Sequence, residues 1–246
     1  MVAKIDVNPQ TLAYFNQELM RYGFDDFCFE LFYLGDEEVP KLKAFSKLNA
    51  KQYGKQRYQV VSSNRALDIR NDYFSYYANH DSYFNTRQLK LGVNVWDGPD
   101  LRCKSGRKIK QLYDDYKVRS IVNWLLPTKV HWHGAYHLFS GNTRAESLAN
   151  VERNKEPLHN LLEVFCQYFV SVHVKELNPI ANYKGISEKS IAVLKLIAAG
   201  KTLEDISQEL HITTRGVCYH IDSLKEAFEC TNRSHLVDKA HRLGLL

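Results

Sequence analysis

Residues 186–221 of the 246-residue chain read ISEKSIAVLKLIAAGKTLEDISQELHITTRGVCYHI, and this stretch decides the fold of the C-terminal region. Apolar residues recur at helical spacing in its first part, and Gly200 supplies the usual helix stop. Thr202 to Asp205 resembles a capping box, and Thr213 is placed to cap the helix that follows. The pattern therefore predicts one helix and then two more joined by a short turn, which is the arrangement of a helix-turn-helix unit.

The helix that begins near Thr213 has two different faces. Val217, Ile221 and Leu224 recur at spacings of three and four and face inward, and a last helix is predicted from Ser234. In a DNA-binding unit this second helix lies in the major groove, where its first turn reaches base edges. The predicted DNA contacts are Thr213, Thr214, Arg215, Cys218, Tyr219, His220 and Lys225. A small helical bundle with a solvated outer face would show the same amphipathic pattern.

The chain from residue 186 to its end, including Asn232-Arg-Ser and Arg242-Leu-Gly-Leu-Leu246, resembles the LuxR-type DNA-binding domain without a gap. The resemblance implies an all-α, four-helix domain that binds double-stranded DNA as a dimer, with the final helix contributing to the dimer contact. Gly216 stands where the family usually has Thr, Cys218 where it has Lys, and Ala192 where it has Glu. The missing cation at position 218 weakens nonspecific DNA binding and leaves the preferred operator open.

The overall composition is that of an ordinary globular protein. It is 44% hydrophobic and 25% charged, with a net charge of +5. From Ile180 onward nine Lys or Arg oppose eight Asp or Glu, so charge alone does not identify the DNA-binding end. No apolar run is long enough to span a bilayer, the start lacks the features of a signal peptide, and the five cysteines are scattered. We therefore expect a cytoplasmic protein with reduced thiols.

The pattern of elements indicates two domains, divided at residues 177–185, where Pro179 and Gly185 interrupt a polar stretch. The predicted units are a sensor domain at 1–176, a linker at 177–185 and the helix-turn-helix domain at 186–246. In the first unit, strands are predicted at 27–34, 58–61, 120–126 and 135–139, and helices at 12–21, 68–77, 109–116 and 157–175. The predicted fold class is an α/β domain, an α-β-α sandwich, followed by an all-α four-helix domain.

The N-terminal domain contains a candidate small-molecule site. Tyr73, Tyr77 and Asp81 are four residues apart and share one side if the helix continues that far, and Trp96 is placed to return over them. Aromatic walls suit an apolar ligand, and a buried carboxylate needs a donor such as a ligand amide. The predicted ligand-binding residues are Ile69, Tyr73, Tyr77, Asp81, Trp96 and Leu125. Ordinary core packing also produces tyrosines at helical spacing beside a tryptophan.

The same segment resembles the autoinducer-binding domain of LuxR-type quorum-sensing regulators. Tyr73 matches the family tyrosine that contacts the acyl carbonyl of the signal, and Trp96 matches the tryptophan that packs on its lactone ring. Asp81 matches the aspartate that accepts the amide N–H of the signal, if one residue is deleted between Tyr73 and Asp81. Ile69, however, replaces a tryptophan that donates to the lactone carbonyl, and Asn123 replaces a glycine. Since isoleucine has no donor, an acyl-homoserine lactone loses a contact. The resemblance therefore leaves open whether the domain binds a different small molecule or no ligand.

The segment His131 to His137 invites interpretation as a metal site. Gly134 predicts a hairpin turn there, and no carboxylate or thiol lies nearby in sequence, so no metal site is expected. Residues 102–110 concentrate positive charge and are expected to form a solvated loop. The sequence has no Gly-rich phosphate loop, nucleophile elbow or His-Glu-x-x-His motif. We therefore expect no enzyme activity and no cofactor.

Two functions remain open at this point. The first is a dimeric, bacterial-type transcription regulator that binds a partly palindromic operator and is controlled by a small apolar signal in its N-terminal domain. The second is a ligand-independent transcription factor whose N-terminal domain is a dimerisation or protein-interaction module, which Ile69 favours. A metal-dependent hydrolase built on His131 would require bound metal and is not expected.

Overall fold

The computed structural model describes residues 2–32, 53–81, 89–96, 98–129, 132–183 and 186–246. The N-terminal elements are β1 (Ala3–Lys4), α1 (Pro9–Arg21), β2 (Asp26–Phe32), β3 (Tyr58–Val61), α2 (Asn64–Asp72), β4 (Gly92–Val95), α3 (Lys104–Asp115), β5 (Ser120–Pro127), β6 (His133–Ser140), α4 (Arg144–Arg153) and α5 (Lys155–Leu177). The C-terminal helices are α6 (Pro179–Asn182), α7 (Glu188–Ala198), α8 (Leu203–Glu209), α9 (Thr214–Ala227) and α10 (Arg233–Arg242). None of these helices combines the length and apolarity that crossing a bilayer needs.

The described strands form one six-stranded sheet in the order β1-β3-β2-β6-β5-β4. The short β1 pairs parallel with β3, and the other pairs are antiparallel. All seven residues of β2 are buried, which follows from its central place and from helices covering both faces of the sheet. The sheet therefore brings β2, β5 and β6 side by side although more than a hundred residues separate Phe32 from His133 along the chain.

Side chains on β2 alternate between the two faces of the sheet, as the strand period requires. Phe27, Phe29 and Leu31 belong to the large core. There Phe15 of α1 stacks on Phe165 of α5 with ring centroids 4.1 Å apart. On the other face, residues of β2, β5 and β6 pack with side chains of α2 and α3; this second cluster contains Cys28, Ala66, Ile69, Ile109, Tyr113, Ile121 and Phe139. The sheet lies between two helical layers, and the predicted α/β class is confirmed.

The C-terminal helices begin and end where the sequence predicts caps. Thr202 and Asp205 form a capping box, with each side chain accepting the other's backbone N–H. The Thr213 hydroxyl oxygen accepts from the Gly216 N–H at 3.1 Å and starts α9. Gly200 follows α7 with φ +77°, in the left-handed region that favours glycine. A buried cluster formed mainly by Val193, Ile206, Val217 and Ile221 holds α7, α8 and α9 together.

Two local predictions are wrong. Gly134 is not in a turn but in β6, paired with Leu31 and Leu126. A Cβ at this position would lie 2.4 Å from the Cys166 Sγ, so glycine permits the close approach of α5 to the sheet. Residues 102–110 do not form a loop; from Lys104 they are the first turns of α3, whose basic side chains point to solvent. The neighbouring His131 lies outside the described residues.

The segment predicted as a linker is packed in its described part, residues 177–183. The Asn182 side chain accepts from the Arg57 and Tyr58 N–H groups at 3.0 and 2.8 Å and donates to the Tyr58 carbonyl at 2.9 Å. Asn178, which is fully buried, donates to the Leu243 carbonyl at 2.7 Å. One end of this segment is therefore bound to the sheet and the other to the end of α10. The division into domains stays a prediction.

Candidate functional site

The first candidate site is the outer face of α9. Val217, Ile221 and Leu224 are at most 2% exposed and fix the inner face. Of the predicted DNA contacts, Thr213, Thr214, Arg215 and Tyr219 are exposed, whereas Cys218, His220 and Lys225 are half-buried. Tyr219 is 71% exposed, more than any other large hydrophobic side chain among the described residues. The first turn of α9 thus presents a cation, two hydroxyls and free backbone N–H groups to solvent, as a helix that enters a groove requires.

Two of the half-buried contacts, His220 and Lys225, are engaged within the domain. The His220 Nδ1 lies 3.0 Å from the Ser190 hydroxyl of α7. Lys225 forms an ion pair with Asp222 at 2.7 Å, one turn away on the same helix. Such a pair at a surface contributes little stability, so Lys225 can exchange its partner for a phosphate at small cost. Arg215 forms no ion pair within the described residues, and it is the stronger candidate for base contact.

The second candidate site is a partly open cavity of about 170 Å³ between the sheet and α2. One wall is the face of β2, β5 and β6 that carries Glu30, Asn123 and His137. The opposite wall is built by Ile69 and Arg70 of α2 and by the segment after it. Apolar and polar side chains both line this space, and the volume is comparable with cavities of about 150 Å³ that bind a single aromatic ring. The cavity is large enough for a small organic molecule.

The structure brings four of the six predicted ligand residues to this cavity: Ile69, Tyr73, Asp81 and Trp96. The Tyr73 hydroxyl donates to the Asp81 carboxylate at 2.6 Å, and the Trp96 ring packs on Tyr113 with centroids 5.0 Å apart. Burial, with the Asp81 carboxylate nearby, raises the pKa of Tyr73, so this phenol stays a neutral donor. Tyr73, Asp81 and Trp96 therefore border one cavity, and their role in ligand binding stays a prediction.

The other two predicted ligand residues do not border the cavity. The helix predicted over 68–77 ends at Asp72 and continues as a π-helical turn, Tyr73–Tyr77, and a 3₁₀ turn, Ala78–His80. A π turn holds more residues than an α turn, so a spacing of four no longer keeps Tyr77 on the side of Tyr73. Leu125 points to the same face of the sheet, but packs in a neighbouring buried cluster with Phe32, Tyr53, Ala135 and Tyr183.

Sequence reasoning missed a chain of buried and half-buried polar groups in the cavity wall. The Glu30 carboxylate accepts from the Tyr183 hydroxyl at 2.8 Å and lies 3.1 Å from the His137 Nε2, whose Nδ1 lies 2.7 Å from the Asn123 Oδ1. Burial opposes ionisation, but the hydrogen bond and charge of His137 and the charge of Arg70 outweigh it and lower the pKa of Glu30. Asn123 in place of the family glycine was the one sequence signal for this network.

Comparisons with known proteins agree with the C-terminal architecture. Residues 184–240 match the GerE family model, described as bacterial regulatory proteins of the luxR family. Among curated proteins there is no significant match. Solved structures similar to the chain include SdiA in complex with octanoyl-rac-glycerol (14% identity, 98% of this chain and 90% of that chain, TM-score 0.43) and Escherichia coli SdiA (14%, 98% and 92%, 0.40). A third is the phage VqmA-DPO complex (13%, 95% and 90%, TM-score 0.24).

These TM-scores are too low to transfer a ligand or a mechanism, so the assignment depends on the family match and on the capped helices that the structure shows. The match ends at residue 240, within α10. Residues 184–240 are a DNA-binding domain of the luxR family of bacterial regulatory proteins, and the chain that carries them is a DNA-binding regulator.

Proposed function

We propose that the chain is a transcriptional regulator whose DNA binding is controlled by a small, largely apolar molecule in the cavity between the sheet and α2. The observation that carries this proposal is the hydrogen bond from the Tyr183 hydroxyl to the Glu30 carboxylate. Glu30 borders the cavity, and Tyr183 lies next to the first residues of the luxR-family domain. A ligand that displaces Glu30 therefore acts directly on the segment that leads into the DNA-binding helices.

Further contacts give this coupling a physical path. The Leu243 carbonyl, just after α10, accepts from Asn178 at 2.7 Å and from the indole N–H of Trp132 at 3.3 Å. The Leu243 side chain belongs to the same large core as Leu177 and Ile180. Movement of the segment at 177–183 must therefore change either these bonds or the position of α10. Coupling between two sites requires such an element, with contacts that differ between two states.

At the DNA, we propose that Arg215 contacts base edges, that Thr213 and Thr214 bind phosphate, and that Tyr219 and Cys218 complete the groove-facing surface. His220 and Lys225 support this surface through Ser190 and Asp222. We propose that two copies bind a partly palindromic operator, with α10 contributing to the dimer contact. Because its partner is DNA, the protein acts in the cytoplasm.

The test combines ligand extraction with DNA binding. Purified protein is denatured, released small molecules are identified by mass spectrometry, and each is added back to protein freed of ligand while affinity for a selected operator is measured. We expect one extracted compound to change operator affinity. In Tyr183→Phe, which loses only the hydroxyl, the ligand still binds but its effect on DNA affinity shrinks.

Tyr168→Phe is the matched control, because Tyr168 is a partly buried tyrosine of the large core. The proposal fails if no compound alters operator affinity, or if the Tyr183 and Tyr168 variants respond like the parent protein.

A second function is favoured by one observation. The Tyr73 hydroxyl already donates to the Asp81 carboxylate, and Ile69 offers no donor. These two polar groups at this end of the cavity are therefore hydrogen-bonded without a ligand. The N-terminal domain then serves as a dimerisation or protein-interaction module of a ligand-independent factor. Full operator binding by protein that yields no small molecule on extraction, and a dimer that persists without DNA in sedimentation, distinguish this function from ligand control.

A further inference from the structure

A second cleft, of about 270 Å³, is formed by the end of α2, the two short turns that follow it and the residues before β3. Polar side chains dominate its lining: Lys55, Arg70, Asn71, Ser75 and Asn79. Lys55, Ser75 and Asn79 are exposed and form the rim, whereas Arg70 is only 5% exposed. We call this the Arg70 cleft. It is distinct from the cavity of the proposed function, although Arg70 borders both.

Buried hydrogen-bond donors at Arg70 have no acceptor in the described part of the chain. The Arg70 Nη2 donates to the Tyr53 carbonyl at 2.8 Å and to the Gln56 Oε1 at 2.6 Å, but Nε and Nη1 donate to no group there. The Nε2 of Gln56, a residue that is 1% exposed, also donates to none. Buried polar groups are almost always paired in native proteins. Since all three atoms are donors, the group that completes them is an acceptor.

The guanidinium is held in one orientation before any ligand binds. Phe74 lies against it, with the Arg70 Cζ 4.6 Å from the ring centroid, and the two hydrogen bonds from Nη2 fix its plane. A side chain that is already ordered loses little conformational entropy on binding. The free donors of Arg70 are therefore prepared for an acceptor from outside the chain.

The charges on the two sides of Arg70 decide where an anion binds. The cavity is bordered by the carboxyl groups of Glu30 and Asp81, and by the unpaired acceptor Gln59 Oε1. The Arg70 cleft is bordered by Lys55, and none of the described residues that line it is acidic. An anion in the cavity is repelled by two carboxyl groups, whereas an anion in the cleft is attracted by two cations. The acceptor for Arg70 therefore belongs in the cleft.

We infer that the Arg70 cleft binds a phosphate group, either as free phosphate or as the monoester of a small molecule. A guanidinium matches two oxygens of such a group, and a lysine ammonium binds phosphate as a point charge. The Ser75 hydroxyl and the Asn79 amide add donors at the rim. A phosphate monoester offers three acceptor oxygens for these donors, whereas a carboxylate offers two. The inference goes beyond the proposed function and does not depend on it.

The test measures binding of three probes to full-length protein in a phosphate-free buffer at neutral pH. The probes are inorganic phosphate, methyl phosphate and acetate, and each is followed by ligand-observed NMR titration. We expect both phosphates to bind, and acetate to bind about tenfold less tightly, as loss of one hydrogen bond to a charged group predicts.

Four variants locate the site. Arg70→Met removes the buried donors and should weaken phosphate binding by about tenfold or more. Lys55→Gln and Asn79→Ala change exposed positions and keep the test decisive if Arg70→Met fails to fold; each should weaken binding about two- to fivefold. Lys104→Gln, at an exposed lysine of α3, is the matched control and should leave phosphate affinity unchanged.

A fifth variant separates the cleft from the cavity. Trp96 borders the cavity but not the cleft, so Trp96→Phe should leave phosphate affinity unchanged. A fall in this variant would place the anion in the cavity and overturn the inference. Tighter binding of methyl phosphate than of inorganic phosphate supports a phosphomonoester as the ligand, and the reverse order supports free phosphate.

Three further results overturn the inference. The first is an unchanged phosphate affinity in both Lys55→Gln and Asn79→Ala, or a fall in Lys104→Gln as large as that in Lys55→Gln, which would indicate a general attraction to basic side chains. The second is acetate binding as tightly as phosphate, which would make the cleft a carboxylate site. The third is failure of both phosphates to bind the parent protein, which leaves the proposed function standing.

Discussion

The DNA-binding helices and the ligand cavity differ in how far apart their residues lie in the sequence. The exposed face of α9 is formed by residues within a few helical turns, and caps at Thr202 and Thr213 define its position. The cavity joins Glu30 of β2, Arg70 of α2 and His137 of β6, whose contacts are set by strand order and register. Local periodicity therefore specifies the first site, whereas the second depends on which strands become neighbours.

The largest expected effect is on DNA binding by α9. Arg215→Ala should weaken operator affinity by about 10- to 100-fold, because one bidentate base contact contributes that much discrimination. The measurement is a gel-shift titration on an operator selected from a random library. Arg153→Ala, at an exposed position of α4 outside the DNA-binding helices, is the matched control. Equal operator affinity of the parent protein and Arg215→Ala would mean that the DNA-recognition surface is not the first turn of α9. It would also contradict the claim that local periodicity specifies this site.

Gly134→Ala tests the opposite region, where long-range packing dominates. The added Cβ would lie 2.4 Å from Cys166 Sγ and 3.0 Å from Phe29 Cε2, so the sheet or α5 must shift. We expect the free energy of unfolding to fall by about 1–3 kcal/mol in urea denaturation, as overpacked cores do. A change below about 0.5 kcal/mol would mean that α5 approaches the sheet less closely than described.

Gly216→Ala makes the same chemical change in α9, and the expected sign is opposite. The nearest atom to a Cβ here is the Thr213 Oγ1 at 3.4 Å, an ordinary contact, and Gly216 has no positive φ. Alanine should therefore stabilise the helix by about 0.5–1 kcal/mol. Thermal unfolding followed by circular dichroism measures it. A lower melting temperature would show that another group packs directly against Gly216 and leaves no room for a Cβ.

The smallest expected effect concerns pH and Glu30. Its pKa is lowered in the folded protein, so its contribution to stability is complete above the ordinary value near 4.5 and is lost as pH falls through the lower folded pKa. Glu30→Gln should flatten the decline of stability with acid in this range. Glu209→Gln, an exposed carboxylate on α8, should not. Parallel pH profiles for the parent protein and Glu30→Gln would contradict the network around Glu30.

The sequence predicted the elements more accurately than the cavity. Strand 58–61 and the caps of α8 and α9 were predicted at their observed positions, because β-branched residues and capping side chains act locally. Gly134 was assigned to a turn because the close contact that requires glycine lies on α5, far along the chain. The sequence does not identify the network of Glu30, Asn123 and His137, because no local pattern shows that β2, β5 and β6 become neighbours. The significance of these three residues depends on the packing around them.

The cap of α3 has a consequence for thiol chemistry. Cys103 is exposed, and hydrogen bonds from the Ser105 hydroxyl and the Gly106 N–H lower its pKa. Burial raises the pKa of Cys28, and that of Cys166 to about 12. A maleimide dye at neutral pH therefore modifies Cys103 first and leaves the core untouched. Since Tyr113 of the same helix borders the cavity, that dye becomes a fluorescent reporter of what the cavity binds.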